Sequence, residues 1–246
     1  MPEASLDYLL DELKLTAVKR FYMPFSKEAS KTNKTMVEFL KALIQEEYTH
    51  RTETRIKRLI SQAKFPVVKL LAEFDFSAIP DINKQHILTL SECHFVNENS
   101  NICLIGQTGT GKTHLATSIA YEACKKKIPT LFFSAAKLVN MFIDARKQHQ
   151  TSLLQRRLSK AKVIVVDELG YIPFSKEGAE HLFQFFSDSY ERQSVIVTSN
   201  LEFADWTKFM GDQTMTSALL DRFTHHCEIL TINGDSYRFK QRKNAN

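Results

Sequence analysis

Eight consecutive residues, Gly106-Gln107-Thr108-Gly109-Thr110-Gly111-Lys112-Thr113, satisfy the pattern GxxxxGK[ST] at every fixed position. They follow a short apolar run, Asn101 to Ile105, that reads as a strand, and they precede a helical pattern, Thr113 to Lys126. That context is what a phosphate cradle requires. Glycines let the backbone curl so that successive amides converge on a β-phosphate, and the following helix adds its positive end. Lys112 reaches the β/γ oxygens, and Thr113 offers a hydroxyl to magnesium. The expected nucleotide contacts are Gly106, Gln107, Thr108, Gly109, Thr110, Gly111, Lys112, Thr113 and His114.

A cradle of this kind needs a carboxylate for the metal. Val163-Ile164-Val165-Val166-Asp167-Glu168 is an apolar strand ending in two acids, and Asp167 follows Lys112 by 55 positions. Asp167 is placed to hold Mg²⁺ with Thr113, and Glu168 to orient and polarise an attacking water, which points to hydrolysis over passive nucleotide binding. A second buried run, Ser194 to Asn200, also ends in a polar side chain. Asn200 then either faces the γ-phosphate or the water, where an amide is cheaper to desolvate than a charge, or simply ends the strand as a turn residue.

These side chains need a scaffold. Apolar runs at 101–105, 130–133, 163–166, 195–198 and 229–232 read as strands. Helical patterns at 113–126, 135–147 and 178–190 lie between them, so the fold class is α/β with a parallel sheet covered on both faces. Upstream the chain reads as helical. Leu6, Leu9, Leu10 and Leu13 recur at helical spacing, and the pattern fades around Phe21 to Pro24. Thr35 and Glu38 form a capping box that opens a long helix, whose apolar face would hold Val37, Leu40, Ile44, Tyr48, Ile56, Leu59 and Ile60. The expected organisation is a helical N-terminal part over 1–64 for DNA or partner binding, a junction over 65–100 and an ATPase domain over 101–246.

Composition narrows the class. With 43% apolar and 25% charged residues the 246-residue chain is globular, not disordered or fibrous. It has 7 glycines where an average of about 7% would give roughly 17, and three of them stand in the cradle. The net charge of +5 permits nucleic acid without demanding it. The cysteines Cys93, Cys103, Cys124 and Cys227 have neither CxxC nor zinc-ligand spacing, so buried thiols are expected. Adjacent histidines, His225 and His226, would point apart on a strand or helix, which favours packing over a metal. No apolar run approaches the roughly 18 residues of a membrane span, so the expectation is a cytoplasmic protein without membrane contact.

The order of cradle, Asp-Glu strand and polar-ended strand resembles the AAA+ ATPases. At finer grain, Cys103 to Ala116, Val166-Asp167-Glu168-Leu169-Gly170-Tyr171-Ile172-Pro173, Tyr190 to Ser194, Thr198-Ser199-Asn200-Leu201, Leu219 to His226 and Gly234 to Arg238 resemble the IstB family, helper ATPases of insertion-sequence transposition related to the DnaC helicase loaders. Phe65-Pro66, Lys69 and Glu73-Phe74-Asp75-Phe76 fit the same family's junction. Gln107-Thr108 departs from the commoner Pro-Pro or Pro-Ala interior, at variable positions. Because 24 residues follow Arg222 (246 minus 222), and they include a strand, the usual three-helix lid is expected to be absent or vestigial; Arg238 could approach a phosphate or a DNA backbone.

The resemblance implies ATP and Mg²⁺ as cofactors. It makes Arg222 an arginine finger inserted into a neighbouring subunit's site, the alternative being an ordinary surface or capping arginine. Between Asp144 and Asp167 every charged residue is basic, and in the DnaC and DnaA-like clade an extra helix here lines the nucleic-acid channel. Arg146, Lys147, Arg156, Arg157 and Lys160 are therefore the expected DNA contacts. Residues 27–69 carry ten basic against five acidic positions, a solvated face or a phosphate-facing one, and Arg51, Arg55, Lys57 and Arg58 are candidates there. The expected activity is ATP-dependent, largely sequence-independent binding of double-stranded DNA by a self-associating oligomer that serves a transposase. The alternatives are a DnaC-like loader of a replicative helicase acting on single-stranded DNA, and a small-molecule kinase, for which no acceptor site is evident.

Overall fold

A computed structural model describes residues 5–79 and 82–234. The chain divides into two compact units between Arg58 and Leu59. In chain order the elements are α1 (Leu6–Glu12), α2 (Thr16–Lys31), α3 (Met36–Ala63), α4 (Lys84–Ser91), β1 (Asn101–Gly106), α5 (Lys112–Lys125), β2 (Thr130–Ser134), α6 (Ala135–Lys147), α7 (Thr151–Leu158), β3 (Val163–Leu169), α8 (Lys176–Ser189), β4 (Ser194–Ser199), α9 (Thr207–Met210), α10 (Gln213–Thr224) and β5 (Cys227–Ile232).

In the first unit Leu10, Val18 and Leu43 form a small core with Phe21, Tyr22, Phe25 and Phe39 packed around it. The predicted fading at Phe21 to Pro24 does not occur, because α2 runs through Pro24 to Lys31. Proline removes one helical hydrogen bond, and the contacts of Phe21, Tyr22 and Phe25 with the core carry the helix past it. No side chain of its own caps α2. Instead Glu47 of α3 accepts from the Ala17 and Val18 amides at 2.8 and 3.2 Å, and Arg51 Nε reaches its other oxygen at 2.7 Å. Burial pushes the Glu47 pKa up, but the Arg51 guanidinium and the two amides outweigh it and hold it below the usual value.

The Thr35–Glu38 capping box forms as expected, with Glu38 accepting from the Thr35 amide at 2.8 Å and donating its own amide to Thr35 Oγ1 at 3.3 Å. The face assigned to α3 holds at its C-terminal end, where Leu59 is buried with Ile60 packed beside it, and needs correction in its first half. Val37, Leu40, Ile44 and Tyr48 are exposed, and the helix is turned so that the neighbouring row of Phe39, Leu43 and Glu47 meets α1 and α2. The stripe one position away from the predicted one wins because it alone supplies a carboxylate for the uncapped α2.

The second unit is a five-stranded, all-parallel sheet in the order β2-β3-β4-β1-β5. Strands β1 to β4 are largely buried on both faces, with α5 packed on one side and α6, α8 and α10 on the other, whereas the edge strand β5 is largely exposed. Leu59 and Ala63, in the last turns of α3, pack on Cys124 of α5 within the second unit. After α10 the described residues hold β5 and four more residues, so no three-helix lid occurs among them, and Arg238 lies outside them. No helix among the described residues is long and apolar enough to cross a membrane. All four cysteines are free thiols, and burial raises those of Cys93 and Cys124 to about 11.

Candidate functional site

The strand order creates the site. β4 lies between β1, which leads into the glycine-rich loop, and β3, which ends in the acids, so all three carboxyl ends open onto one crevice. At the first end, a Cβ on Gly106 would stand 2.2 Å from the Ile232 carbonyl oxygen, so only glycine lets β1 leave beside β5. Gly111 caps α5 at φ +91°, a left-handed conformation, and a Cβ there would strike Phe74 at 2.6 Å. Lys112 Nζ donates to the carbonyls of Gly106 and Gln107, both at 2.7 Å, spanning the loop from inside.

Asp167 is buried, and its Oδ1 accepts from two hydroxyls, Thr113 Oγ1 at 2.9 Å and Thr198 Oγ1 at 2.6 Å. The structure thus brings the predicted metal pair together. Thr198 was missed by the sequence reading, which passed from the apolar run to Asn200. A polar residue at a fully buried position inside a valine-isoleucine strand was the available signal. Thr198 Oγ1 also accepts from the Glu168 amide at 2.9 Å.

That second bond fixes Glu168. Between Val166 and Leu169 the pairing of β3 with β4 slips by one residue, since Val166 faces Val197 and Leu169 faces Ser199. Glu168 takes up the bulge with φ +61°, a conformation rare for a residue with a side chain. The bulge turns its carboxylate out of the sheet, where it is exposed while Asp167 stays buried. Two adjacent acids are thereby given two environments: one locked between hydroxyls, one open to water.

A cavity of about 370 Å³ covers these groups. Its floor is the loop from Thr108 to His114, one wall is Glu168, Tyr171, Thr198, Ser199 and Asn200, and the other is Lys69, Glu73, Phe74, Asp75, Ala78 and Ile79. The stretch expected to be a junction therefore helps build the site. Ser118 Oγ donates to the Lys69 carbonyl at 3.0 Å, His114 Nε2 meets the Leu70 carbonyl at 2.9 Å, and Phe74 lies edge-on to His114 at 5.2 Å. His114 so holds the strap and lines the cavity at once. The apolar and aromatic wall of Phe74 and Ile79 suits a purine ring beside the phosphate loop. Spacing alone gave no hint of it.

The other predicted residues lie elsewhere. Arg222 is half-buried in the last turn of α10, with Nη1 donating to the Ala218 carbonyl at 2.8 Å and its guanidinium over the Phe183 ring. The next residue, Phe223, accepts from Asn101 Nδ2 at 2.9 Å, at the start of β1. The phosphate loop leaves the opposite end of that strand, roughly 16 Å away at about 3.3 Å per residue, beyond an arginine's reach. Arg146, Lys147, Arg156, Arg157 and Lys160 are exposed at the ends of α6 and α7, where Arg146 also meets Glu177 at 3.4 Å. Arg156 and Lys162 share a groove with Arg192, a basic residue not in the predicted set. In the first unit Arg51 is committed to Glu47 and to the Lys14 carbonyl at 2.9 Å, whereas Arg55, Lys57 and Arg58 are exposed.

Comparison with known proteins agrees with this architecture. The sequence pattern of the family described as IstB-like ATP binding protein matches residues 8–245. A Pseudomonas aeruginosa protein named as an ATP-binding protein of insertion sequence IS21 is 34% identical over 98% of this chain and 91% of its own. One from Geobacillus stearothermophilus, named for insertion sequence IS5376, is 34% identical over 94% and 92%. Among solved structures, the replication initiator DnaA bound to AMPPCP and single-stranded DNA aligns over 74% of this chain and 55% of that one, with a TM-score of 0.58 at 19% identity. The DnaC helicase loader aligns over 64% and 98%, with a TM-score of 0.53 at 22% identity. At those identities the likeness carries the fold alone, a parallel sheet with flanking helices behind a phosphate loop.

Proposed function

Since the chain belongs to the IstB-like ATP binding protein family, we propose that it is a DNA-dependent ATPase that assembles on duplex DNA and assists a transposase. The observation that carries the hydrolytic part is the bulge at Glu168, which turns a second carboxylate into the phosphate cavity while Asp167 is held back between Thr113 and Thr198.

In this reading the loop amides and Lys112 take the β- and γ-phosphates, and Phe74 and Ile79 flank the base. The hydroxyl of Thr113 and the carboxylate of Asp167 are hard oxygen donors 2.9 Å apart, a set that fits Mg²⁺ and would hold it. The ion when bound supplies charge neutralisation on the β/γ oxygens. Glu168 accepts a proton from the attacking water as its oxygen bonds to the γ-phosphorus and the bond to the β–γ bridging oxygen breaks. Asn200 steadies that water or the γ-phosphate. Arg222, unable to reach its own subunit's cavity, serves the neighbour's and ties turnover to assembly.

The exposed cations at Arg146, Lys147, Arg156, Arg157 and Lys160, with Arg55, Lys57 and Arg58, would contact backbone phosphates without reading sequence. The exposed stripe of Val37, Leu40, Ile44 and Tyr48 supports partner contact by the first unit. Transposition is favoured over helicase loading because relatives named for insertion sequences match nearly the whole chain at 34% identity, while DnaC shares the core fold. A preference for single-stranded over duplex DNA would reverse that choice. Glu168→Gln tests the hydrolytic assignment: ATP should remain bound while phosphate release falls by about two orders of magnitude or more. Turnover at the unaltered rate would remove Glu168 from the mechanism.

A further inference from the structure

At the amino ends of the strands, opposite the carboxyl ends that open onto the nucleotide cavity, Glu191, His225 and His226 each offer one ligand atom, all within 4.8 Å of one another. The sequence reading sent the two histidines to packing, because neighbours on a helix or strand diverge. They stand on neither. α10 ends at Thr224 and β5 begins at Cys227, so the pair forms the turn between them, and their ring centroids are 4.1 Å apart.

The backbone beneath the cluster is pinned from several sides. The Asn101 amide and Ser100 Oγ both donate to the His226 carbonyl, at 2.7 and 3.2 Å. Asn99 Nδ2 donates to the Glu191 carbonyl at 3.0 Å, and Glu191 keeps a left-handed φ of +56°. The Tyr190 hydroxyl lies 2.9 Å from His225 Nδ1 and fixes the orientation of that ring. An imidazole oriented by a second group on a pinned turn is how proteins prepare a histidine for a metal.

We propose that Glu191, His225 and His226 form a binding site for one divalent transition-metal ion of the zinc class. Two imidazoles and one carboxylate are a borderline donor set, suited to Zn²⁺, Co²⁺ or Ni²⁺ and poor for the hard ion of the phosphate site. Three protein ligands leave a coordination position open to solvent, as the exposure of all three residues allows. The ion would join the turn before β4 to the end of α10, and so fasten the helical turn that carries Arg222. The site uses none of the residues of the nucleotide cavity and stands or falls apart from it.

The test is a titration of the untagged full-length protein with Co²⁺, without nucleotide or magnesium, followed by visible absorption. The expected result is a saturable spectrum at one equivalent, displaced by Zn²⁺ and not by excess Mg²⁺, with a matching rise in melting temperature. The double variant His225→Ala/His226→Ala should lose the spectrum, and Glu191→Gln should weaken binding at least about tenfold. Asp167→Asn should keep both spectrum and affinity. These residues are exposed, and circular dichroism checks that the variants fold. Absence of saturable binding in the micromolar range, or a spectrum that survives the double histidine variant, would overturn the proposal.

Discussion

Thr198→Val isolates the group that couples the two acids. The substitution keeps the side chain's shape within a fully packed strand and removes only the hydroxyl. Two bonds go with it: the 2.6 Å donation to Asp167 Oδ1 and the 2.9 Å acceptance from the Glu168 amide. A hydrogen bond to a charged acceptor contributes about 1.5–3 kcal/mol. If that is lost from the reacting geometry, at 1.36 kcal/mol per tenfold, turnover falls by about 10- to 150-fold. ATP affinity should hold, since Lys112 is placed by the Gly106 and Gln107 carbonyls, whereas Thr198 is bonded to Asp167 and Glu168. The assay pairs steady-state phosphate release with binding of a fluorescent ATP analogue. Thr198→Ser, which keeps the hydroxyl, should restore most of the rate. A well-folded valine variant that turns over within about twofold of the unaltered protein would refute the reasoning, for it would mean the bulged Glu168 is held without Thr198.

Two further outcomes are expected. Glu47→Gln should destabilise the first unit by about 1–3 kcal/mol at neutral pH, because the charge that caps α2 and meets Arg51 is lost. The folded carboxyl titrates below 4.5, so its contribution is present above that pH and disappears as pH falls through the folded value. Thermal unfolding of both proteins should therefore converge in acid, and a difference that ignores pH would contradict the capping role. Charge reversal of Arg156 and Arg157 should weaken duplex binding and reduce the slope of log affinity against log salt by about one unit per lost phosphate contact. An unchanged slope would place the DNA elsewhere.

The phosphate loop, the acid strand and the alternation around them were legible because each is a short-range pattern: glycines where backbone must curl, apolar runs where a strand is buried on both faces. Even the boundary of α6, Ala135 to Lys147, could be read directly. What escaped reading depends on contacts between distant segments. Thr198 matters because β4 is inserted between β1 and β3, an order no local pattern encodes. The strap carrying Phe74 and Ile79 joins the cavity through carbonyls at Lys69 and Leu70, which have no side-chain signature. The stripes 37-40-44-48 and 39-43-47 on α3 are adjacent, and only the need of α2 for a cap selects one. The setting of the histidine pair escaped reading because its residues were assigned to a regular element, when the chain there is turning from α10 into β5.

The most direct test of the central claim, that Arg222 completes the neighbour's nucleotide site, is to mix two inactive variants in the presence of duplex DNA. Lys112→Ala keeps its finger but has no working cradle; Arg222→Ala keeps its cradle but has no finger. The account predicts that each alone is nearly inert, and that an equal mixture regains hydrolysis to about a quarter of the unaltered rate, the share of random neighbours that pair a good cradle with a good finger. A mixture no more active than its components, although both still assemble, would contradict it.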